Sequence, residues 1–256
     1  MKIVTINGSP KGREGNTNIM VAAVLKGAQA AGAETVNLFL AEKEIKHCKG
    51  CFSCWFVTPG QCVIQDEMAE VLAQGEGADV LMLATPLKYA NISGLLKVFI
   101  ERMLVLCNPY FKQDPESGMI RHPKKTAAAE AAGMSFYRAK LLMIASGGLS
   151  TRDHFQVVSR WIKKLAFYNH TEVIGEIYVP QGLLLNTQEP ELRPIIDNYL
   201  QRLEKAGREI ATTQRLSAET EALLARDFMP ADMYVAQVNG FFERMLSKLE
   251  HPYVKE

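Results

Sequence analysis

Apolar residues fall along this chain in two patterns. Residues 2–7, 34–40, 79–84, 140–145 and 171–179 are short, nearly uninterrupted apolar runs. Residues 19–30, 94–106, 152–168 and 191–213 instead repeat their apolar positions every three or four residues, and 66–74 reads as a shorter helix. Short unbroken runs predict strands buried on both faces, and the wider spacing predicts helices. The regular alternation of the two predicts a parallel sheet with helices covering both sides. Punctuation agrees with this: Ala31-Gly32 ends the first helix, Thr85-Pro86 closes the third strand, and Ser146-Gly147-Gly148 follows the fourth.

Two segments depart from the pattern. Residues 107–139 are mixed and read as an excursion with an Ala-rich helical turn near 126–132. Residues 1–213 read as one domain and 214–256 as a helical extension. Leu223, Leu224, Phe228, Phe241, Phe242 and Met245 make the extension too apolar to float free. It is expected to pack on the domain or on a neighbouring subunit.

Composition narrows the partners. Hydrophobic residues are 48% of the 256 and charged residues 22%, enough for a substantial core. Lys plus Arg is 29 against 28 for Asp plus Glu, a net charge of +1. That balance excludes a strongly basic nucleic-acid binder and an acidic disordered chain. No apolar run approaches the roughly 18 residues of a membrane span, and the first strand turns polar after Ile6, too early for an export signal. A cytoplasmic protein without nucleic-acid or membrane partners is expected.

In a doubly wound sheet, ligands sit beyond the carboxyl ends of the strands, where strand order reverses. Three loops leave such ends. The first, 8–18, carries Ser9, Lys11, Asn16, Thr17 and Asn18 among glycines and precedes a helix. Donors, a cation and a helix start together suit a phosphate. It has neither the G-x-G-x-x-G nor the G-K-[S/T] pattern. The second, 85–94, offers Pro86, Leu87, the aromatic Tyr89, Asn91 and Ile92, which suit a flat heteroaromatic ring. The third places Gly147 and Gly148 where a backbone can approach something planar. Each could alone be an ordinary turn; together they suit a mononucleotide.

Four of the five cysteines cluster as Cys48, Cys51, Cys54 and Cys62, a C-x2-C-x2-C-x7-C spacing. Two successive x2 gaps let three thiolates wrap an iron–sulfur cubane, with Cys62 as fourth ligand after the Pro59-Gly60 turn. Tetrahedral zinc, a thiol–disulfide pair and a loop that merely packs are the alternatives. Cys107 reads as a small core residue at a helix end, His47 as an exposed loop residue, and no nucleophile elbow is present.

Gly-Ser-Pro-Lys-x4-Asn-Thr after the first strand, Thr-Pro-Leu-x-Tyr-x-Asn-Ile-Ser after the third and Gly-Gly after the fourth resemble the flavodoxin-like NAD(P)H-dependent FMN reductase family over about residues 1–205. The cysteine segment is similar to that of its iron–sulfur flavoprotein branch. The resemblance implies an α/β flavodoxin-like three-layer α/β/α sandwich with a five-stranded parallel sheet. It implies FMN, with residues 9–18 at the phosphate and Pro86, Leu87, Tyr89, Asn91, Ile92, Gly147 and Gly148 around the ring. The implied function is an oxidoreductase taking electrons from NAD(P)H to a quinone, nitro or azo compound, flavin or protein acceptor. In the iron–sulfur branch, Cys48, Cys51, Cys54 and Cys62 would hold a [4Fe-4S] cluster and a ferredoxin-type protein would be the partner. A homo-oligomer, dimer or tetramer, is also implied.

Overall fold

A computed structural model describes residues 1–124 and 139–248. The Ala-rich turn expected near 126–132 lies outside them. The chain runs β1 (Lys2–Asn7), α1 (Asn16–Ala30), β2 (Glu34–Phe39), α2 (Ser53–Phe56), α3 (Met68–Gln74), β3 (Val80–Pro86) and α4 (Gly94–Arg102). A small hairpin, β4 (Lys112–Gln113) with β5 (Ile120–Arg121), precedes β6 (Lys140–Ser146), α5 (Gln156–Tyr168) and β7 (Val173–Val179). Three helices finish it: α6 (Arg193–Thr213), α7 (Ala218–Leu224) and α8 (Ala231–Leu246).

The main sheet has five strands in the order β2-β1-β3-β6-β7, every neighbouring pair parallel. From β1 the chain steps outward to β2, then crosses back to β3 and proceeds the other way. The reversal opens a crevice at the carboxyl ends of β1 and β3. Each expected strand is present within two residues of its expected limits. The helix expected over 94–106 is α-helical to Arg102 and tightens into a 3-10 turn over Met103–Leu106. That expected over 152–168 opens with a 3-10 turn, Arg152–Phe155. The helix expected from 66 starts at Met68 with Glu67 as its N-cap, because Asp66 turns back just before it, its Oδ1 accepting the Met68 N–H at 3.1 Å.

The strands lack polar alternation because both faces are buried. Along β3, Leu81 and Leu83 face one core with Phe99, Phe155 and Ile162. Val80, Met82 and Ala84 face the other with Val24, Leu203 and Ala206. Helices α1 and α6 pack so closely on this second side that small residues are required. A Cβ on Gly207 would lie 1.9 Å from the Val24 carbonyl oxygen, and one on Gly27 1.8 Å from that of Glu204.

After α6 the chain follows the outer edge of β7. The Leu216 N–H donates to the Ile174 carbonyl at 2.8 Å, the Glu176 N–H to Glu221 Oε1 at 3.2 Å, and Arg152 Nη1 to the Tyr178 carbonyl at 3.0 Å. Among the described residues no helix is long and apolar enough to cross a membrane.

Gly207→Ala should lower stability by about 1–3 kcal/mol, because the clash is with backbone that can yield only by moving a helix. Gly240→Ala in α8 meets nothing nearer than Arg244 Nη1 at 3.6 Å, and should be neutral or stabilising by up to about 1 kcal/mol. Urea midpoints of the two variants check the contrast.

Candidate functional site

The β1–α1 loop is built on Asn7, whose Oδ1 accepts the Ser9 N–H at 3.1 Å. The Ser9 carbonyl accepts the Gly12 N–H at 2.9 Å, which folds the loop back on itself. Gly15 then packs against Ser9, and a Cβ there would stand 2.4 Å from Ser9 Oγ. As N-cap of α1, Gly15 brings no capping side chain. The first N–H groups of the helix, those of Asn16 and Thr17, have no intrahelical acceptor. An uncapped helix start over a tight glycine turn fits an anionic group such as a phosphate.

Charges and side chains in this loop divide into two sets. Arg13 is committed to Glu42, at 2.7 and 3.0 Å, and lies over the Phe39 ring. Lys11 is exposed and makes no ion pair among the described residues, so it is the cation left for a ligand. Asn16, Thr17 and Asn18 use their side chains as braces. Asn16 Nδ2 donates to the Gly182 carbonyl at 2.7 Å, and the Thr17 and Ser146 hydroxyls share a hydrogen bond of 2.9 Å. Asn18 Oδ1 accepts from Asn37 at 3.0 Å, and its Nδ2 donates to the Arg13 carbonyl at 2.9 Å.

The β3 loop is fastened to the other two. The Leu87 N–H donates to the Ser146 carbonyl at 2.7 Å. Ser93 Oγ donates to the Gly8 carbonyl at 2.6 Å and accepts the Leu96 N–H at 3.2 Å, capping α4. At the tip, Lys88 and Asn91 exchange backbone hydrogen bonds around Tyr89 and Ala90. Both central residues have positive φ, 46° and 59°. Two consecutive non-glycine residues there are strained, and such strain gathers at ligand clamps. The strain presents Tyr89 with its side chain wholly in solvent, beside Pro86, Leu87 and Asn91. The Ile92 side chain is buried in the core with Leu96 and Phe99 and supports the loop from below, which leaves its backbone as the part that can border a ring.

Beyond β6, the Gly147 N–H donates to the Val179 carbonyl and the Gly147 carbonyl accepts from the Gly182 N–H, both at 2.8 Å. The Gly148 carbonyl accepts the Tyr234 hydroxyl at 2.8 Å. The structure therefore brings all three expected loops together and adds a fourth, 180–186, which the sequence reading missed. Its signal was present, since Pro180-Gln181-Gly182 is a turn at the carboxyl end of the fifth strand. Tyr234, far along the chain, had no local signal.

The cysteine segment lies elsewhere, against the far end of α4 from the β3 loop. Trp55 anchors it: its indole N–H donates to the Leu104 carbonyl at 3.2 Å and its ring packs on Phe52, Phe56 and His122. Beneath it, Arg102 and Asp66 form a buried pair, at 2.5 and 3.0 Å, and Arg102 Nη1 also donates to the Lys46 carbonyl at 2.7 Å. Cys62 stands beside this guanidinium. Burial and then the charge of Cys62 push the Cys54 thiol up, with smaller contributions from Cys48 and Cys51. The four sulfurs thus share one neighbourhood, and no disulfide joins the described cysteines. A set of four thiols suits iron–sulfur chemistry. As folded, no three His, Cys, Asp or Glu side chains among the described residues converge on one metal ion, as tetrahedral zinc requires.

Cys107 departs from its expected place in the core. It is half-buried and lines a cavity of about 560 Å³ with Cys48, Leu104, His122 and Leu165. The 3-10 turn that continues α4 ends at Leu106 with Cys107 as its C-cap, so this residue stands at the helix end rather than inside the core. His47 is exposed, as expected.

Sheet order and crevice together define the class: a doubly wound α/β protein of flavodoxin-like architecture, with its three expected loops at the β1/β3 switch point. The chain belongs to the NADPH-dependent FMN reductase family, whose model matches residues 1–182. An iron–sulfur flavoprotein of Archaeoglobus fulgidus is 38% identical over 104 residues, 41% of this chain and 46% of that protein. One of Methanosarcina thermophila is 33% identical over 106 residues, 41% of this chain and 54% of that protein. The matched stretches span about half the length of these curated relatives. Among solved structures, an FMN-dependent NADH-azoreductase from Bacillus anthracis in complex with FMN superposes with a TM-score of 0.57 at 18% identity, covering 82% of this chain and 99% of that one. An NAD(P)H:quinone oxidoreductase from Methanothermobacter marburgensis gives 0.53 at 13%, covering 82% and 96%. At these identities the likeness is one of fold.

Burial raises the Asp66 carboxyl, but the Arg102 hydrogen bonds and the N–H groups of Lys46 and Met68 outweigh it and hold it below the usual range. Its stabilisation is therefore complete above a pH of about 4 and disappears as the pH falls through the depressed folded value. Asp66→Asn, which leaves Arg102 buried without its counter-charge, should cost about 3–5 kcal/mol at neutral pH. It should also flatten the acid limb of the stability curve, read by urea unfolding at pH 3 to 7.

Proposed function

We propose that this protein binds FMN in the crevice at β1 and β3 and works as an oxidoreductase, passing electrons from NAD(P)H to a quinone, nitro or azo compound, flavin or protein acceptor. The observation that carries this reading is the meeting of three loops at the switch point, with an uncapped helix start on one side and a strained, exposed aromatic turn on the other. The FMN, when bound, supplies the hydride and electron chemistry. The protein's own part is to bind, orient and shield.

Each loop has a role in this reading. The N–H groups of Asn16 and Thr17, the hydroxyl of Ser9 and the ammonium of Lys11 hold the phosphate. Asn16, Thr17 and Asn18 keep those N–H groups in place through their braces to Gly182, Ser146 and Asn37. Pro86, Leu87, Tyr89 and Asn91 border the ring on one side, and Gly147 and Gly148 close the other without side chains. No acid–base side chain is required for hydride transfer, so none is assigned.

A second reading adds an iron–sulfur cluster. The C-x2-C-x2-C-x7-C spacing and the names of the aligned relatives favour it. Cys48, Cys51, Cys54 and Cys62 would be its ligands, and a [4Fe-4S] cluster supplies one-electron transfer, which suits a ferredoxin-type partner. The protein's contribution is the Trp55 anchor and the Arg102–Asp66 pair that shape the loop. We also propose a homo-oligomer. Tyr234 and Val238 are packed on the domain, whereas Phe241, Phe242 and Met245, farther along the same stripe of α8, are exposed.

Ser9→Ala combined with Asn16→Ala should weaken FMN binding at least ten-fold, since the first removes a hydrogen bond to a charged group, worth about 1.5–3 kcal/mol, and the second removes the Gly182 brace that holds the Asn16 N–H in place. Fluorescence titration measures this, and an unchanged affinity would remove the loop from the site. Protein purified without oxygen separates the two readings. Flavin with about four irons and matching sulfide per chain establishes the cluster. Flavin without iron, with turnover of NADH or NADPH on a quinone or azo dye, establishes the simple reductase.

A further inference from the structure

The C-terminal extension ends its path at the crevice. From the edge of β7 it crosses the fourth loop, where Gln181, buried, binds it on both sides. Gln181 Oε1 accepts the N–H groups of Phe228 and Met229 at 2.9 and 3.1 Å. Its Nε2 donates to the Met229 carbonyl at 2.8 Å and to Ser150 Oγ at 2.9 Å, in the loop after β6. Every hydrogen-bonding position of this amide is thereby used to join the loop after β6, the loop after β7 and the extension. Arg152 adds a tie, with Nη1 donating to the Ala225 carbonyl at 3.2 Å.

Helix α8 then places Tyr234 on the two-glycine segment. Tyr234 is 2% exposed, and its hydroxyl donates to the Gly148 carbonyl at 2.8 Å. The preceding carbonyl, that of Gly147, is occupied by the Gly182 N–H. Both carbonyls of the segment are thus held by protein donors, one of them from the extension. The N–H of Gly148 has no partner among the described residues. Glycine has no side chain to fix its peptide plane, so this segment can turn unless its carbonyls are held.

We infer that the C-terminal extension is a working part of the flavin site, with Tyr234 and Gln181 as positioning residues that hold the Gly147–Gly148 wall with its carbonyls engaged and an N–H left over. The inference rests on the FMN reading and adds a segment that lies beyond the residues matched by the family. A wall that offers N–H rather than C=O to the ring favours the added electron density of the reduced form, because oriented donors stabilise negative charge at low reorganisation cost. Tyr234 acts only through Gly148 and touches no reacting atom.

The test is Tyr234→Phe, which removes one hydroxyl and keeps the ring packed. FMN affinity should fall about three- to ten-fold, the span expected for one neutral hydrogen bond. The midpoint potential of the bound flavin should fall as well, a readout that loss of packing alone would not move. Asn239→Ala, on the same helix but exposed and assigned no role in site or assembly, should leave both unchanged. A second measurement needs no variant. By the reciprocity of linked equilibria, FMN added to the wild-type protein should slow amide exchange at 226–236 together with 146–150. If wild-type protein binds FMN, but Tyr234→Phe matches it in affinity and potential and exchange at 226–236 does not change, the inference is overturned and the FMN reading stands. If wild-type protein takes up no FMN, both are overturned.

Discussion

Everything in this molecule answers to one constraint: a parallel sheet must be covered on both faces. The strands are consequently apolar along their length, and their side chains alternate between two separate cores rather than between core and water. Polar residues have few places to go. Asn7, Thr85 and Ser146 are buried at or near the carboxyl ends of three adjacent strands, where the order of strands reverses and the helices diverge. The crevice and its polar lining are two results of the same packing requirement.

Those buried polar groups act as a frame. Ser146 takes the Leu87 N–H with its carbonyl and shares a hydrogen bond with Thr17 through its hydroxyl. Ser93 spans from the α4 start to the Gly8 carbonyl. A ligand entering this crevice would meet loops already fastened to each other, so little ordering remains to oppose binding. The strained pair at Tyr89 and Ala90 is tolerated because the bonds on either side of it over-determine the turn.

Local chemistry made much of this legible in the chain. Unbroken apolar runs disclosed the strands, and the glycines, hydroxyls and amides in 8–18, 85–94 and 146–150 disclosed the loops. What local pattern could not disclose was the division of labour inside a loop. Arg13 and Lys11 look alike in sequence, but Glu42 and Phe39, distant in the chain, claim only Arg13. Asn18 looks like a ligand donor until Asn37 on the neighbouring strand appears beside it. Ile92 looks like a side chain for a ring site, but packing turns that side chain into the core and leaves only its backbone at the loop. Gln181, Tyr234 and the Arg102–Asp66 pair join segments far apart in the chain, and no spacing rule anticipates such pairs. The cysteines are the reverse case, where spacing spoke clearly and the fold adds the anchor, Trp55, and the buried cation beneath.

The path of the extension along β7 has a consequence for how copies of this chain can meet. An outermost strand normally shows a row of unused N–H and C=O groups, to which a foreign strand can add. Here the Ile174 carbonyl, the Glu176 N–H and the Tyr178 carbonyl on the outward edge are engaged by Leu216, Glu221 and Arg152. The sheet edge is partly covered on that side. A foreign strand adding to β7 would first have to displace these three bonds, which favours self-association there through side chains.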